Sequence, residues 1–280
     1  MTVFKTTSCQ SINLRGTLMT FEKPKVMGIL NLTPDSFYDG GQHQDAAAAL
    51  AHAQHLVQEG ADIIDIGAYS SRPGAQEISA QEEIDRALPA IAAIRTALPH
   101  VILSIDTFRA DVAEACVKAG VHIINDVSGG TLDERMFDTV AKLQVPYILM
   151  HMRGTPQTMQ TMTDYTDVVN DVAISLGHGI AKLRSMGVRD IILDPGYGFA
   201  KTIDQNYDLL MRVNELAYFG LPILGGISRK SMLYKKLGTT PDQVLPGTIA
   251  LNTLLLERGV QILRVHDVKE AKQLIDIFYN

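Results

Sequence analysis

Polar side chains stand directly after most of the short apolar runs in this chain. Carboxylate, amide and basic groups end these runs, namely Asn31, Asp65, Asp106, Asn125, Asp126, Asp194, Arg264 and His266. A single Asp or Asn in such a place is equally well explained as the cap of a turn or helix. A ring of them around one opening needs a ligand to justify its desolvation, so the set as a whole predicts a binding site.

Three basic groups lie at or after the last two apolar runs of the chain. Arg264 and His266 are two residues apart, so on a strand they point to the same face, and Lys230 follows the preceding apolar run. This set favours an anion such as phosphate. For His266 alone, a structural hydrogen bond is as well supported as catalysis.

Eight short apolar runs, rich in β-formers, must position these groups. They span 25–31, 62–67, 101–106, 121–126, 145–151, 189–194, 221–228 and 260–266. Amphipathic helical patterns separate them, and five runs follow a glycine suited to a helix C-terminus: Gly60, Gly120, Gly187, Gly220 and Gly259. Eight strand–helix units in 280 residues favour a closed (β/α)8 TIM barrel over the alternative, a doubly wound open sheet.

Residues 1–23 do not fit this repeat. The segment SINLRGTLMTF (11–21) alternates around Arg15-Gly16 and predicts a β-hairpin that closes the barrel floor. The loops after the strands are longer than the turns before them, which places function on that side of the barrel. We therefore expect one domain over 1–280, with the hairpin in 1–23 and the barrel in 24–280.

Composition argues against several other classes of protein. With 46% hydrophobic residues a substantial core is expected, yet no apolar run is long enough to cross a bilayer. The polar N-terminus lacks a signal-peptide pattern, so we expect a cytoplasmic protein. A net charge of -6 without a basic cluster argues against nucleic acid as a partner. Of the two cysteines, Cys9 and Cys116, the second is interpreted as a buried packing residue.

Eight motifs in these loops and strand ends resemble the dihydropteroate synthases, a family of pterin-binding barrels. They occur in family order between about Lys25 and Ile277: NLTPDSFYDGG (31–41), DIG with SRPGA (65–75), SIDT (104–107), INDVSGG (124–130), LMHMRGTPQTM (149–159), LDPGYGFAK (193–201), SRK (228–230) and RVH (264–266). The resemblance implies a transferase that joins (7,8-dihydropterin-6-yl)methyl diphosphate to 4-aminobenzoate. The products are 7,8-dihydropteroate, for folate biosynthesis, and diphosphate.

The resemblance also implies which residues bind the pterin diphosphate. Asp194 accepts from the 2-amino-4-oxo edge of the pterin, Asp106 and Asn125 contact its other ring nitrogens, and Lys230 donates to the ring oxygen and N5. Asn31 is the magnesium-linked position, which makes Mg2+ the implied cofactor. The remaining implied contacts are Val127, Met150 and Phe199 against the flat ring, and Ser71, Arg264 and His266 around the diphosphate. For Met150 alone, core packing is at least as well supported.

The second substrate and the chemistry are implied in the same way. The 4-aminobenzoate is expected between two loops, with contacts from Phe37, Ser71, Arg72, Pro73 and Ser231. The implied mechanism is dissociative, because diphosphate leaves before the weak aromatic amine attacks. Its catalytic residues are Asp35, Asp106, Lys230, Arg264 and His266. A homodimer through the outer helices, for which the segment 244–258 is a candidate, and sensitivity to sulfonamides complete the expectation.

The chain departs from the family pattern in its second loop. Where the family commonly reads DIGGESTRPG, this chain reads DIGAYSSRPG, so Ala68 and Tyr69 replace Gly and Glu, and Ser71 replaces Thr. Ser71 keeps the hydroxyl group, whereas the missing Glu predicts changed dynamics or electrostatics of the loop. Aminobenzoate affinity and sulfonamide sensitivity are left open by this change.

Two other functions compete with this one. Pterin-binding methyltransferases that serve corrinoid proteins resemble the Asp106, Asn125 and Asp194 part, but are not expected to carry both loop motifs with SRK and RVH. A regulatory pterin binder without turnover would have lost loop or anion-binding residues. Asp35, Arg72, Lys230, Arg264 and His266 are all present.

Overall fold

The computed structural model describes residues 11–32, 41–69, 78–155 and 157–279, and only the backbone of 41–44. Strands β1 (Ser11–Leu14) and β2 (Thr17–Thr20) form an antiparallel hairpin. Eight further strands are β3 (Lys25–Asn31), β4 (Ile63–Gly67), β5 (Ile102–Asp106), β6 (Ile123–Asp126), β7 (Tyr147–Met150), β8 (Ile191–Asp194), β9 (Leu224–Gly225) and β10 (Ile262–Val265).

At least one α-helix follows each of these eight strands. The described helices are α1 (Gly41–Gln58), α2 (Ala80–Ala97), α3 (Ala110–Lys118), α4 (Met136–Leu143), α5 (Val168–Ser185), α6 (Ile203–Met211), α7 (Ser231–Leu237), α8 (Leu245–Glu257) and α9 (Val268–Tyr279). The five glycines expected at helix ends all have positive φ angles, a conformation that costs glycine no steric strain. Within the described residues, no helix is long and apolar enough to cross a membrane.

The sheet curls into a nearly closed barrel. The strand order is β8-β7-β6-β5-β4-β3-β10-β9, with every pairing parallel. A bridge between Leu193 and Ile223 joins the two edges, where Leu193 N donates to Pro222 O at 2.8 Å. The predicted (β/α)8 barrel is confirmed, and the open-sheet alternative is wrong because the edges meet.

Strand β9 is much shorter than the predicted run over 221–228. Pro222 has no N–H to offer a neighbouring strand, and Ile223 N donates to the side-chain Oε1 of Gln261 at 2.8 Å. These two features interrupt the regular ladder before Leu224. The apolar run is nevertheless buried, as a barrel interior requires.

The hairpin closes the floor of the barrel, as predicted. Its two turn residues, Arg15 (φ 53°) and Gly16 (φ 101°), both have positive φ, the geometry that matches strand twist in a two-residue hairpin. Its apolar side chains pack against the first inward-facing residue of most barrel strands, in one cluster of Ile12, Leu14, Met19, Met27, Ile63, Ile123, Ile148, Ile192, Leu224 and Ile262. A second, larger cluster fills the space between the sheet and the helices, and Cys116 is buried within it as predicted.

Candidate active site

The interior of the barrel changes from apolar to polar within two residues along the strands. Residues two apart on a strand share a face, so each apolar floor residue is followed on the same face by the next inward side chain. On four strands that next side chain is a charged or amide group within two residues of the C-terminal end: Asp65 after Ile63, Asn125 after Ile123, Asp194 after Ile192 and Arg264 after Ile262. These four side chains, with Ser104 beside Asp65 on β5 and the adjoining Asp106 and Lys230, form a polar layer directly above the floor.

One half of this layer is an ion-pair cluster around Arg264. Arg264 Nε donates to Asp65 Oδ2 at 2.7 Å, and Arg264 Nη2 donates to Asp106 Oδ2 at 2.6 Å. Asn125 Nδ2 donates to the same Asp65 Oδ2 at 2.9 Å. Burial raises the pKa of Asp106, although Arg264 opposes the change. The structure therefore brings Arg264, predicted for the diphosphate, together with Asp106 and Asn125, predicted for the pterin ring. Asp65 links Arg264 to Asn125, and Arg264 contacts Asp106 directly.

The other half contains Asp194 and Lys230. Asp194 is 5% exposed and accepts a hydrogen bond from Gly196 N at 2.7 Å. Burial raises the pKa of Asp194, an effect that the positive charge of Lys230 opposes. Lys230 Nζ donates to Tyr197 O at 2.6 Å and lies 4.8 Å from the centroid of the Phe199 ring. Burial also lowers the pKa of Lys230, to about 8.

A buried lysine that sequence reasoning missed organises the loop between Asp194 and α6. Lys201 Nζ donates to Gly196 O at 2.9 Å and Phe199 O at 3.1 Å, and lies 3.0 Å from His151 Nδ1. Burial lowers the pKa of Lys201 to about 7 and that of His151 to about 2, so the imidazole is neutral and its Nδ1 can accept a hydrogen bond from Lys201 Nζ. Both residues belong to motifs of the family resemblance, His151 to LMHMRGTPQTM and Lys201 to LDPGYGFAK.

His266 has the structural hydrogen bond that was one of its two expected roles. Its Nδ1 lies 3.0 Å from Ser228 Oγ, and its backbone N donates to the same oxygen at 3.2 Å. Ser228 is the first residue of the SRK motif, and the family resemblance predicted no role for it. Arg229 of that motif instead pairs with Asp267 at 2.6 Å and has a positive φ of 55°. Only the outer members of this motif therefore face the groups predicted to bind the ligand.

An apolar wall borders the polar layer. Val127, Met150 and Phe199, the three residues predicted to contact a flat ring, belong to one cluster with Met152, Met159, Ala200 and Leu132. They come from the turn after β6, from β7 and from the loop after β8, so the strand ends bring together residues far apart in sequence. Gly198, with a φ of 82°, lets this loop approach Lys230, because a Cβ there would lie 3.2 Å from Lys230 Cδ.

Asn31 and Asp106 are neighbours across β4. A Cβ added at Gly67 would be in van der Waals contact with both groups, 3.5 Å from Asn31 Oδ1 and 3.8 Å from Asp106 Cβ. In the part of the chain that the structure describes, no cluster of three or more His, Cys, Asp or Glu side chains could hold a metal. Ser231 begins α7 directly after Lys230.

Asp126, one residue after Asn125, faces the other side of the strand. Both of its carboxylate oxygens accept hydrogen bonds from neighbouring residues of the fold. Its Oδ1 accepts from Ser128 N and Ser128 Oγ, both at 2.7 Å, and its Oδ2 accepts from Gly130 N at 2.8 Å and Tyr147 Oη at 2.7 Å. All four partners belong to the adjoining turn or strand. The capping explanation, weighed for each strand-end Asp, is therefore correct for this residue.

The departure at Tyr69 has a structural counterpart. The Tyr69 ring packs edge-on against Phe108, with centroids 5.2 Å apart, and the guanidinium of Arg109 lies 5.1 Å from the Tyr69 centroid. Arg109 pairs with the buried Glu83 at 2.5 Å. The last described residue before position 70 is thus held by aromatic and cation–π contacts, and Arg109 has an acidic partner on α2.

Five predicted site residues cannot be placed in this geometry. Asp35, Phe37, Ser71, Arg72 and Pro73 lie outside the described residues. The other predicted site residues surround the opening at the C-terminal ends of the strands, which is where barrels of this type place their active sites.

Comparison with known proteins identifies the class to which this barrel belongs. The model of the family described as "pterin binding enzyme" matches residues 27–266, so the chain is a member of that family. The dihydropteroate synthase of Escherichia coli K12 is 40% identical over 265 residues, which cover 94% of this chain and 93% of the relative. The family resemblance predicted from the motifs is confirmed.

Solved structures give the same result. A dihydropteroate synthase from Xanthomonas albilineans with 4-aminobenzoic acid superposes with a TM-score of 0.89 at 38% identity, covering 97% of each chain. The Yersinia pestis dihydropteroate synthase with a sulfonamide drug complex superposes with a TM-score of 0.88 at 42% identity, covering 95% of this chain and 97% of that one.

Proposed function

We propose that this protein is a dihydropteroate synthase. It joins (7,8-dihydropterin-6-yl)methyl diphosphate to 4-aminobenzoate and forms 7,8-dihydropteroate and diphosphate in folate biosynthesis. The observation that carries the proposal is the buried carboxylate of Asp194, set beside Lys230 and an apolar wall at the mouth of the barrel. Relatives of this activity align over nearly the whole chain.

The pterin ring is proposed to lie against the apolar wall, with its polar edge on Asp194. A carboxylate can accept two parallel N–H groups from a 2-amino-4-oxo pyrimidine edge, and such bidentate contacts give both energy and orientation. Asp106 and Asn125 are proposed for the other ring nitrogens, and Lys230 for the ring oxygen and N5. Val127, Met150 and Phe199 would enclose the ring, since all three belong to the wall.

The bond to diphosphate is proposed to break before the amine attacks. Arg264 and His266, with Ser71, would stabilise the negative charge that grows on the leaving group, while Asp106 would stabilise the positive charge left on the pterin. Arg264 and Asp106 are hydrogen-bonded at 2.6 Å, which puts the two kinds of charge stabilisation side by side. No side chain has to act as a nucleophile in this order of steps, because the amine of 4-aminobenzoate attacks the pterin methylene directly.

A magnesium ion is part of the proposal, with Asn31 as its protein ligand. Mg2+ is often bound mainly by substrate phosphates and water, with few protein oxygens. A single amide oxygen at the end of β3, beside Asp106, fits an ion that arrives with the diphosphate. Bound there, the ion would neutralise charge on the departing diphosphate.

The 4-aminobenzoate is proposed to bind second, between Phe37 and Pro73. Its carboxylate would lie near Ser231, with Ser71 and Arg72 completing the site, and Asp35 is the further catalytic candidate. Ser231 follows Lys230 directly at the start of α7, so the two proposed subsites adjoin. Sulfonamide inhibition is proposed on the same basis, since the similar Yersinia pestis enzyme is described with such a drug.

A homodimer through the outer helices is also proposed. Helix α8 is predominantly apolar, and its side chains Ile249, Leu251 and Leu254 are only half-buried within the chain. Sedimentation equilibrium of the purified protein measures the assembly directly, and a mass of one chain would contradict the proposal. The cytoplasmic location expected from the N-terminal residues stays a prediction.

The test of function is a turnover assay. Purified protein, Mg2+ and both substrates are expected to yield equal amounts of dihydropteroate and diphosphate, whereas Asp194→Ala protein yields neither. If the wild-type protein binds pterin but forms neither product, the synthase proposal fails and a non-catalytic pterin binder is supported instead.

The division between the two substrates has its own test. Asp194→Ala is expected to abolish pterin binding, whereas Phe37→Ala mainly weakens the use of 4-aminobenzoate. Calorimetry with a pterin ligand separates the two variants. Equal losses of pterin affinity would contradict the assignment of Phe37 to the second substrate.

A further inference from the structure

Asp65 lies at the centre of the polar layer, yet none of the roles proposed above belongs to it. It is fully buried on β4, and its Oδ2 accepts from Arg264 Nε at 2.7 Å and from Asn125 Nδ2 at 2.9 Å. The neighbours of β4 are β3 and β5, so the two donors come from β10 and β6, each two strands away on opposite sides. One oxygen atom therefore joins side chains from both sides of β4.

The contacts of Arg264 leave one part of its guanidinium group available. Arg264 Nε donates a hydrogen bond to Asp65, and Nη2 donates one to Asp106. Nη1 makes no hydrogen bond to any residue within the described ranges. A guanidinium group is a planar fork of five N–H donors, so fixing Nε and Nη2 also fixes the direction of Nη1. The two carboxylates together set the plane of the group.

Stability alone does not explain a carboxylate at position 65. Ile63 fills the same face of β4 one layer below, and bulky aliphatic residues are the usual filling of a barrel interior. Buried ion pairs can often be replaced by apolar side chains without loss of stability. Asp65 Oδ1, moreover, is buried without a hydrogen-bond partner among the described residues, which adds to the cost of keeping the charge there.

We propose that Asp65 is a positioning residue, which holds Arg264 and Asn125 in a fixed relation so that the diphosphate and the pterin ring of one substrate molecule are bound together. The inference rests on the proposed function and deepens it, because it couples the two ends of the substrate through a single carboxylate. Asp65 itself need not touch the substrate for this effect.

The first test compares Asp65→Asn with the wild-type protein. Asparagine keeps the shape and one acceptor oxygen but loses the charge that holds the guanidinium group. By calorimetry, the affinities for 6-hydroxymethyl-7,8-dihydropterin and for inorganic diphosphate are both expected to fall, by roughly 10- to 100-fold. An unchanged affinity for either ligand would overturn the coupling.

Ser104→Ala is the matched control. Ser104 is the register partner of Asp65 on β5, is equally buried, and has no hydrogen bond to either Arg264 or Asn125. Its removal is expected to leave both affinities within about twofold. A loss as large as that of Asp65→Asn would mean that any change in this layer disturbs the site, which would contradict a specific role for Asp65.

A double-mutant cycle decides whether Asp65 acts through Arg264. Arg264→Lys keeps a positive charge but cannot reach both carboxylates with a fixed plane. Its cost in diphosphate affinity is expected to be several-fold smaller in the Asp65→Asn background than in the wild type. Additive losses would overturn the proposal.

One measurement does not need the Asp65→Asn protein, should that variant fail to fold. The nuclear magnetic resonance signal of Arg264 Nε–H, assigned by its loss in Arg264→Lys, is expected to be protected from exchange with water. Exchange as fast as that of a free guanidinium group would contradict the contact. These readouts are binding and spectroscopy, so an absence of turnover would refute the proposed function and leave the role of Asp65 separately testable.

Discussion

The two inner layers of the barrel share strands and a face, yet their side chains do different work. Ile192 belongs to the floor cluster beneath the polar layer, whereas Asp194, two residues later on β8, opens onto the candidate site. The distance between them along the strand is only about 6.6 Å. The floor is sealed by the hairpin and packs only apolar side chains, while the next layer contains buried charges that depend on one another. Stability and ligand binding are therefore separated by a single layer.

The largest expected effect belongs to the polar layer. Asp194→Ala should weaken pterin binding about 1000-fold, or about 4 kcal/mol, because the ring loses its bidentate acceptor. Calorimetry measures the affinity, and Asp194→Asn, which keeps an acceptor oxygen near Gly196 N, should lose less. If Asp194→Ala protein binds pterin with an affinity within tenfold of wild type, the polar layer does not have the ligand-binding role that distinguishes it from the floor.

Ile192→Ala tests the same strand from below. Truncating this fully buried side chain should lower the free energy of unfolding by about 3 kcal/mol, since the floor cannot collapse around the cavity. The KM for the pterin substrate should stay within about twofold of wild type in the folded protein. Urea denaturation and steady-state kinetics measure the two quantities. A large rise in KM with little loss of stability would mean that the floor residue acts in ligand binding and not in stability.

Asp126→Asn sharpens the contrast between a structural carboxylate and a site carboxylate. An amide nitrogen in place of Oδ2 would face Gly130 N and Tyr147 Oη, so the free energy of unfolding should fall by about 2 kcal/mol. Pterin affinity should be unaffected by this change. Replacing the preceding residue, in Asn125→Ala, should by contrast lower pterin affinity. Tyr147→Phe is the control, because removing the hydroxyl should make the Asp126→Asn change less costly. Additive costs in this pair would contradict the shared contact.

The smallest effect concerns the charge of Lys230. Because burial lowers its pKa to about 8, Lys230 is charged below that pH and becomes neutral as pH rises through it. Affinity for the diphosphate substrate should therefore decline roughly eightfold between pH 7.5 and 9, as the charged fraction of Lys230 does. Lys230→Arg stays charged and should lack this decline, whatever its affinity at neutral pH. If Lys230→Arg protein shows the same decline in affinity at alkaline pH, the decline is caused by another titrating group.

Much of the site was predictable because it depends on local pattern. Asp106 and Asn125 end strands whose apolar runs are evident in the sequence, and parallel strands bring such ends to one side. Strand alternation alone could not distinguish Asn125 from Asp126 as the inward residue, because it gives two faces without saying which is the interior, and only the family resemblance singled out Asn125. Lys201 was missed for a related reason, since its partner His151 is 50 residues away and faces it only after β7 and β8 pair.

The sequence by itself determined the repeating strand–helix units, the hairpin over 11–21 and the polar residues at the strand ends, because short-range alternation and turn glycines encode them. Only the tertiary structure decided which of those polar residues share atoms. Arg264 reaches Asp65 across 199 residues of chain, and Asn125 reaches the same oxygen across 60. Such contacts depend on the curvature and stagger of the closed sheet, which are set when the edges at Leu193 and Ile223 meet.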